Sequence, residues 1–211
     1  MTKEQLQSLT PAEGLHKLKE GNFRFLNNMM RTRDSFSDIE ATKDGQQPFA
    51  AIVSCMDSRV PNETVMDLGI GEAFSVRIAG NVITNSVLGS LEFAAAVIGS
   101  KIIVVMGHSG CGAIKGACDG VELGNLTSVL ARIRPAVEMV RDVPGERNSS
   151  NKPFVEAVAE LNARFCTQQI TEQSRVIKDL VLANKLGIVP AMYDVATGKV
   201  RFLDDGAIGL A

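Results

Sequence analysis

Short, mostly apolar runs mark four places in the chain: residues 49–54, 73–78, 102–106 and 187–195. All four read as strands, and the runs 49–54 and 102–106, free of polar alternation, as strands buried in a sheet. The segments between them change period. Residues 86–98 form a mostly apolar helix that ends at Gly99, and 111–118 a short helix of small residues. Residues 126–140 are helical with Pro135 kinking or splitting them, and 154–186 form a proline-free helical region of two helices. After the last long strand, Ala196-Thr197-Gly198 turns the chain into a short strand over 200–203 by a hairpin.

Strands that alternate with helices predict an α/β fold. The expected architecture is a mainly parallel four-stranded sheet with an antiparallel edge strand and helices on both faces. Upstream, Leu6, Leu9, Leu15, Leu18, Phe23 and Leu26 follow an irregular amphipathic pattern over residues 3–29. Thr10-Pro11-Ala12-Glu13 supplies a helix-start signal between two helices, and Gly21-Asn22 weakens the second. Residues 30–47 are polar and read as irregular. One domain is expected overall, an N-terminal helical arm over 1–45 followed by an α/β catalytic region over 46–211.

Composition narrows the function. The 211 residues carry a formal charge of −2 and are 45% hydrophobic. Near-balanced charge argues against a nucleic-acid or membrane-surface partner, because both recruit a basic face. The apolar runs are too short to span a bilayer. The polar start, Met1-Thr2-Lys3-Glu4-Gln5, lacks a signal-peptide pattern, so the expected location is cytoplasmic. Four cysteines in a chain of this length are too few for a disulfide scaffold and read as metal ligands, nucleophiles or buried thiols.

Two of those cysteines stand where chemistry collects. In open parallel sheets, ligands bind beyond the carboxyl ends of the strands. Cys55 follows the first apolar run; His108 and Cys111 follow the third, three residues apart. Two thiolates and one imidazole suit zinc, and three protein ligands leave a fourth position open, the arrangement of a catalytic site. Zinc then brings the pKa of bound water from about 15.7 to about 7, although two thiolates weaken the effect. Asp57 and Arg59, two residues apart on what reads as extended backbone, project to one side and can pair. So held, Asp57 could orient a zinc-bound hydroxide; released, it could reach the metal and fill the open position. Each fragment also has a plainer reading. A cysteine at a strand end is often a small buried hydrophobe, and Asp57–Arg59 could be a structural ion pair.

The joint pattern resembles a known family. Cys55-Met56-Asp57-Ser58-Arg59-Val60, Gly71-Glu72-Ala73-Phe74 with Arg77, and Gly107-His108-Ser109-Gly110-Cys111-Gly112 are similar, in order, to the β-class carbonic anhydrases. That resemblance implies reversible hydration of carbon dioxide to bicarbonate and a proton. It implies zinc on Cys55, His108 and Cys111, with Asp57–Arg59 as catalytic dyad and Asp57 a fourth ligand only in a closed, inactive form. It implies a homodimer or dimer of dimers, with N-terminal helices lying across the partner and the active site near that interface. Substrate-binding positions carried over are Gln46, Phe74, Ala79, Phe93 and the Gly112 N–H. Phe93 stands where the plant type has tyrosine, and Ala79-Gly80 replaces bulkier wall residues, which implies a roomier pocket. A second, inhibitory bicarbonate site of one subtype needs a tryptophan where this chain has Ile52, although Arg77 and Tyr193 match its other members.

Two other readings share these motifs: a carbon disulfide or carbonyl sulfide hydrolase on the same scaffold, and a non-catalytic zinc protein. Cys118 and Cys166 fit buried helical positions. His16, the one other histidine, reads as a surface residue with proton shuttling as its functional alternative. Tyr193, Met106 and Met192 read as core.

Overall fold

The computed structural model describes residues 1–210. Its centre is a five-stranded sheet in the order β2-β1-β3-β4-β5. The strands are β1 (Ala50–Ser54), β2 (Ala73–Arg77), β3 (Ile102–His108), β4 (Gly187–Tyr193) and β5 (Val200–Phe202). The first four pair in parallel and β5 pairs antiparallel to β4, as the apolar runs and the final hairpin predict. Every residue of β1, β3 and β4 is buried, which a sheet covered on both faces requires.

One face is covered by α1 (Lys3–Ser8), α2 (Pro11–Leu26) and α4 (Asn62–Val65). Leu6, Leu15 and Leu18 pack there against Ile52, Ile102, Val104, Met106 and Ala191. Leu6, Leu9, Leu15 and Leu18 thus have a destination inside their own subunit, whereas Phe23 and Leu26 are exposed. Capping boxes start both helices: Thr2 with Gln5, and Thr10 with Glu13. Gly21 permits a close approach, because a Cβ there would lie 1.9 Å from the Met66 carbonyl oxygen. Asn22, buried beside it, donates to the Val65 and Gly198 carbonyls and accepts from the Val200 N–H. The pair that weakens the helix in isolation is what joins it to the rest of the fold.

The other face carries α5 (Asn85–Glu92), its π-helical continuation Phe93–Ile98, α8 (Lys152–Gln173) and α9 (Arg175–Leu182). Gly99 at φ 93° stops the π turn. Ser174 separates α8 from α9 and caps α9 through the Ile177 N–H. A third cluster joins α6 (Gly112–Cys118), α7 (Leu126–Met139) and α8 around Phe154, Ile114 and Ile133 at the carboxyl rim of the sheet. α7 continues through Pro135 without splitting.

The segment expected to be irregular holds a helix. α3 (Ser35–Thr42) is capped by the Asp34 side chain and buries none of its residues. Without a buried face it leaves no apolar periodicity to read. The preceding loop is tied down by the carboxylate of Asp67, which is fully buried. Arg24 Nε and Arg33 Nη1 each stand 2.5 Å from it, and the Arg31 N–H also donates to it.

Candidate active site

β1 and β3 are parallel neighbours, so their carboxyl ends reach one rim. His108 is the last residue of β3, and Cys55 is the first after β1. Beyond His108 the chain turns through Gly110 at φ 63°, and Cys111 becomes the residue that leads into α6. The candidate ligand atoms of Cys55, His108 and Cys111 all lie within 4.8 Å of one another, and all three residues are buried. The two sulfurs are 3.9 Å apart.

The donor set fits zinc in detail. His108 Nδ1 is 3.0 Å from the Ser109 carbonyl oxygen, which can only accept, so Nδ1 carries the proton. Nε2 keeps its lone pair, is buried, and has no hydrogen-bond partner. A buried acceptor without a partner is costly and is satisfied by a metal ion. The Cys55 thiol is driven well below its usual range. The Cys111 S–H donates to it first of all, with further help from the Gly80 N–H against the opposing effect of burial. Cys111, as that donor, is driven up. The N–H groups of Ala113 and Ile114, in the first turn of α6, point at the Cys111 sulfur and favour its thiolate.

Asp57 and Arg59 meet, but not on extended backbone. Val60 N–H closes onto the Asp57 carbonyl at 3.0 Å, and Arg59 N–H donates to Asp57 Oδ1 at 3.0 Å, so the segment is a tight turn. Within it Arg59 grips both carboxylate oxygens, Nε to Oδ1 at 2.9 Å and Nη2 to Oδ2 at 2.7 Å. The Arg59 side chain is the principal reason the Asp57 carboxyl is held below the usual carboxylate range. Asp57 Oδ2 also lies 3.9 Å from His108 Nε2, on the side where the ligands converge. From the neighbouring strand Arg77 donates to the Asp57 carbonyl at 2.6 Å and the Cys55 carbonyl at 3.4 Å, clamping the loop that carries both.

The other positions divide into two groups. Gly112 opens α6 directly after Cys111, and Ala79 lies in the short turn Ala79–Asn81, whose Gly80 N–H donates to the Cys55 sulfur at 3.4 Å. Both are at the metal group. Phe74, Phe93 and Gln46 are not. Phe74 pairs with Ala51, three residues before the rim, and meets Phe93 edge-on at 6.1 Å between ring centres. With Ala51, Ser86 and Ser90 they line a cavity of about 520 Å³ that contains none of the three ligand residues. Gln46 is exposed before β1, at the opposite rim from Cys55.

Sequence reasoning missed three supports: the Arg77 clamp, the Gly80 N–H and Glu156, which accepts from Gly110 N–H at 2.8 Å and steadies the turn before Cys111. None carries a local signal, since each partner is distant in sequence. His16 lies on the exposed side of α2 beside Glu20, as a surface residue. Cys118 is half-buried and Cys166 buried, and burial pushes their thiols up to about 11 and about 12. Tyr193 is buried in the core.

The sequence profile of the carbonic anhydrase family matches residues 50–200, which span the four parallel strands and the whole candidate ligand set. The chain belongs to this family. Carbonic anhydrase 2 of Mycobacterium tuberculosis is 32% identical over 211 residues, covering 97% of this chain and 99% of that protein. The crystal structure of the β-carbonic anhydrase CafA of Aspergillus fumigatus is 27% identical and superposes with a TM-score of 0.70, over 90% of this chain and 88% of that one. One of two tetrameric β-carbonic anhydrases of Sordaria macrospora shares the fold at 23% identity, with a TM-score of 0.67 over 90% and 96% of the two chains. This carbonic anhydrase is therefore of the β class, a zinc enzyme that hydrates carbon dioxide reversibly to bicarbonate. Among the described residues, no helix is long and apolar enough to cross a membrane.

Proposed function

We propose that Cys55, His108 and Cys111 hold the zinc, that the Asp57–Arg59 pair directs the reaction, and that a second copy of the chain completes the pocket. The observation that carries the first two parts is the position of Asp57 Oδ2, gripped by Arg59 at 2.7 Å and 3.9 Å from the unpartnered Nε2 of His108. When bound, zinc supplies a Lewis acid that makes a coordinated water nucleophilic near neutral pH.

The chain's own groups do the rest. Asp57, kept ionised by Arg59, accepts a hydrogen bond from the attacking oxygen and aims its lone pair at the carbon of carbon dioxide. Arg59 fixes Asp57 through two parallel N–H donors and prevents it from swinging onto the metal. With Arg59 displaced, Asp57 would become the fourth ligand of a closed form. The Gly112 N–H donates to the developing bicarbonate oxygen, and Ala79 leaves room for an apolar substrate. Carbon dioxide needs little beyond a dry, fitted cavity.

Gln46, Phe74 and Phe93 serve the partner's site in this reading. They lie away from their own ligand group. β2 is an edge strand, and Phe93 is 47% exposed, with Phe23, Met29 and Phe36 also exposed. Open edges and apolar patches of this kind mark association surfaces, and the Sordaria macrospora relatives are described as tetrameric. The minimal unit is a homodimer, or a dimer of dimers, with a cytoplasmic location.

Metal analysis and stopped-flow carbon dioxide hydration on one sample test the ligand assignment. Stoichiometric zinc with fast hydration in the wild type, and loss of both in Cys55→Ser and His108→Ala, is the expected result. Undiminished zinc in either variant overturns it.

A further inference from the structure

Asn162 is fully buried on α8, where its neighbours along the helix, Val158, Ala159, Ala163 and Cys166, are buried apolar residues. A buried amide is costly unless its groups are bonded. Its Nδ2 donates to the Gly80 carbonyl at 2.9 Å, and its Oδ1 receives the Cys166 thiol at 3.9 Å. Gly80 in turn donates its own N–H to the Cys55 sulfur at 3.4 Å. One residue thus has its carbonyl held by α8 and its N–H directed at a zinc ligand. The turn has little freedom to adjust otherwise. Gly80 is buried at φ 68°, and a Cβ there would stand 2.6 Å from Ile133 Cδ1.

We propose that Asn162 is a positioning residue for the metal site, setting the Gly80 N–H on the Cys55 sulfur so that this thiolate donates less charge to zinc. The inference rests on Cys55 being a zinc ligand, as proposed above. Its chemical reason is the donor set. Two thiolates cancel the charge of the metal and weaken its action on water. An N–H bonded to one sulfur withdraws part of that charge, as outer hydrogen bonds do in metal sites generally. Beside the other candidate ligands, the Gly80 N–H is the group seen bonded to that sulfur, and its carbonyl is held in place by Asn162. Asparagine suits that role better than its near neighbours in size. An aspartate would set a carboxylate against the Gly80 carbonyl, and a leucine would leave that carbonyl without a partner.

Asn162→Leu in the full chain tests this, loaded with cobalt(II) or zinc. The expected result is a sulfur-to-cobalt charge-transfer band moved to lower energy and a zinc affinity changed by about 10-fold towards tighter binding, because a sulfur freed of its N–H gives more charge to the metal. A purely structural role would lower the unfolding midpoint and leave both readouts unchanged; band and affinity matching the wild type overturn the proposal. Cadmium-113 NMR of the wild type needs no variant to fold. Scalar coupling between the metal and the Gly80 amide proton supports the inference, and its absence overturns it. If wild-type cobalt enzyme shows no sulfur charge transfer at all, the ligand assignment itself has failed, and the role of Asn162 falls with it.

Discussion

The Nε2 of His108 and the Oδ2 of Asp57 lie 3.9 Å apart, and the imidazole nitrogen has no hydrogen-bond partner. Both carboxylate oxygens of Asp57 are already engaged by Arg59. The aspartate is therefore close enough to act beside the metal and is restrained from binding it. Removing Arg59 should release it. In Arg59→Ala we expect hydration to fall by about 100-fold, the scale of a lost positioned proton acceptor, with zinc content unchanged. Arg59→Lys should fall between, because an ammonium cannot bond both oxygens in parallel. Wild-type rates in Arg59→Ala, by stopped flow with metal analysis, would remove the dyad from the mechanism.

The buried carboxylate of Asp67 makes a different prediction, about stability and acid. Burial alone would raise its pKa, but Arg33 and Arg24, with the Arg31 N–H, outweigh burial and lower it. A lowered folded pKa contributes stability that is complete above about pH 4, the ordinary carboxylate value. That stability is lost as pH falls through the folded value. Asp67→Asn removes the anion of Arg24 and the nearer of the two anions of Arg33, whose other is Glu72, and should cost about 3 kcal/mol at neutral pH. The difference between wild type and variant should shrink towards acid. Urea unfolding at pH 7 and pH 3 reads both effects; a pH-independent difference would mean that the ion network does not act through charge.

Gly21→Ala tests the approach of α2 to α4. The added methyl would meet the Met66 carbonyl oxygen at 1.9 Å, a backbone atom with no rotamer to escape into. Overpacking usually costs about 1–3 kcal/mol where side chains can move. Here we expect the upper end or beyond, read as a lowered denaturant midpoint. A neutral change would show that α2 shifts freely on the sheet.

The four free cysteines should react in a fixed order. Burial raises the thiols of Cys118 and Cys166 to about 11 and about 12, so neither offers thiolate at neutral pH. In the zinc enzyme little alkylation is expected. After chelation under native conditions, iodoacetamide should label Cys55 first, because it is the thiol held in the thiolate form. Peptide mass mapping that found Cys118 labelled before Cys55 would contradict this order.

Phe93→Asp tests the shared pocket. The substitution places a charge on a half-exposed ring position that packs on Phe74 and lies away from the ligands of its own chain. We expect monomers by sedimentation and strongly reduced hydration with full zinc. An active, zinc-loaded monomer would place the whole site within one chain.

Much of this molecule is legible in its sequence, for identifiable reasons. Three of the four parallel strands, β1, β3 and β4, are buried throughout, so their apolar runs stand out. The candidate zinc ligands are rare residue types at the ends of two of those runs. Asp57 and Arg59 are recognisable as a pair, but their geometry is not, because the pair closes through a turn at Ser58 and Arg59. α3 is illegible because none of its eight residues is buried. Asp67 finds Arg24 and Arg33 across 43 and 34 residues, and Asn162 finds Gly80 across 82. Partnerships of that reach are created by the fold and leave no local pattern.

Gly80 concentrates several demands on one position. Its backbone angle disfavours most side chains, a Cβ would press on the Ile133 Cδ1 methyl, its N–H meets Cys55 and its carbonyl meets Asn162. The first two demands select glycine, and the last two tie its backbone to the site. A saturation library across the site should therefore find this glycine less replaceable than the wall residues that face the substrate, and redesign of the pocket has to proceed around it.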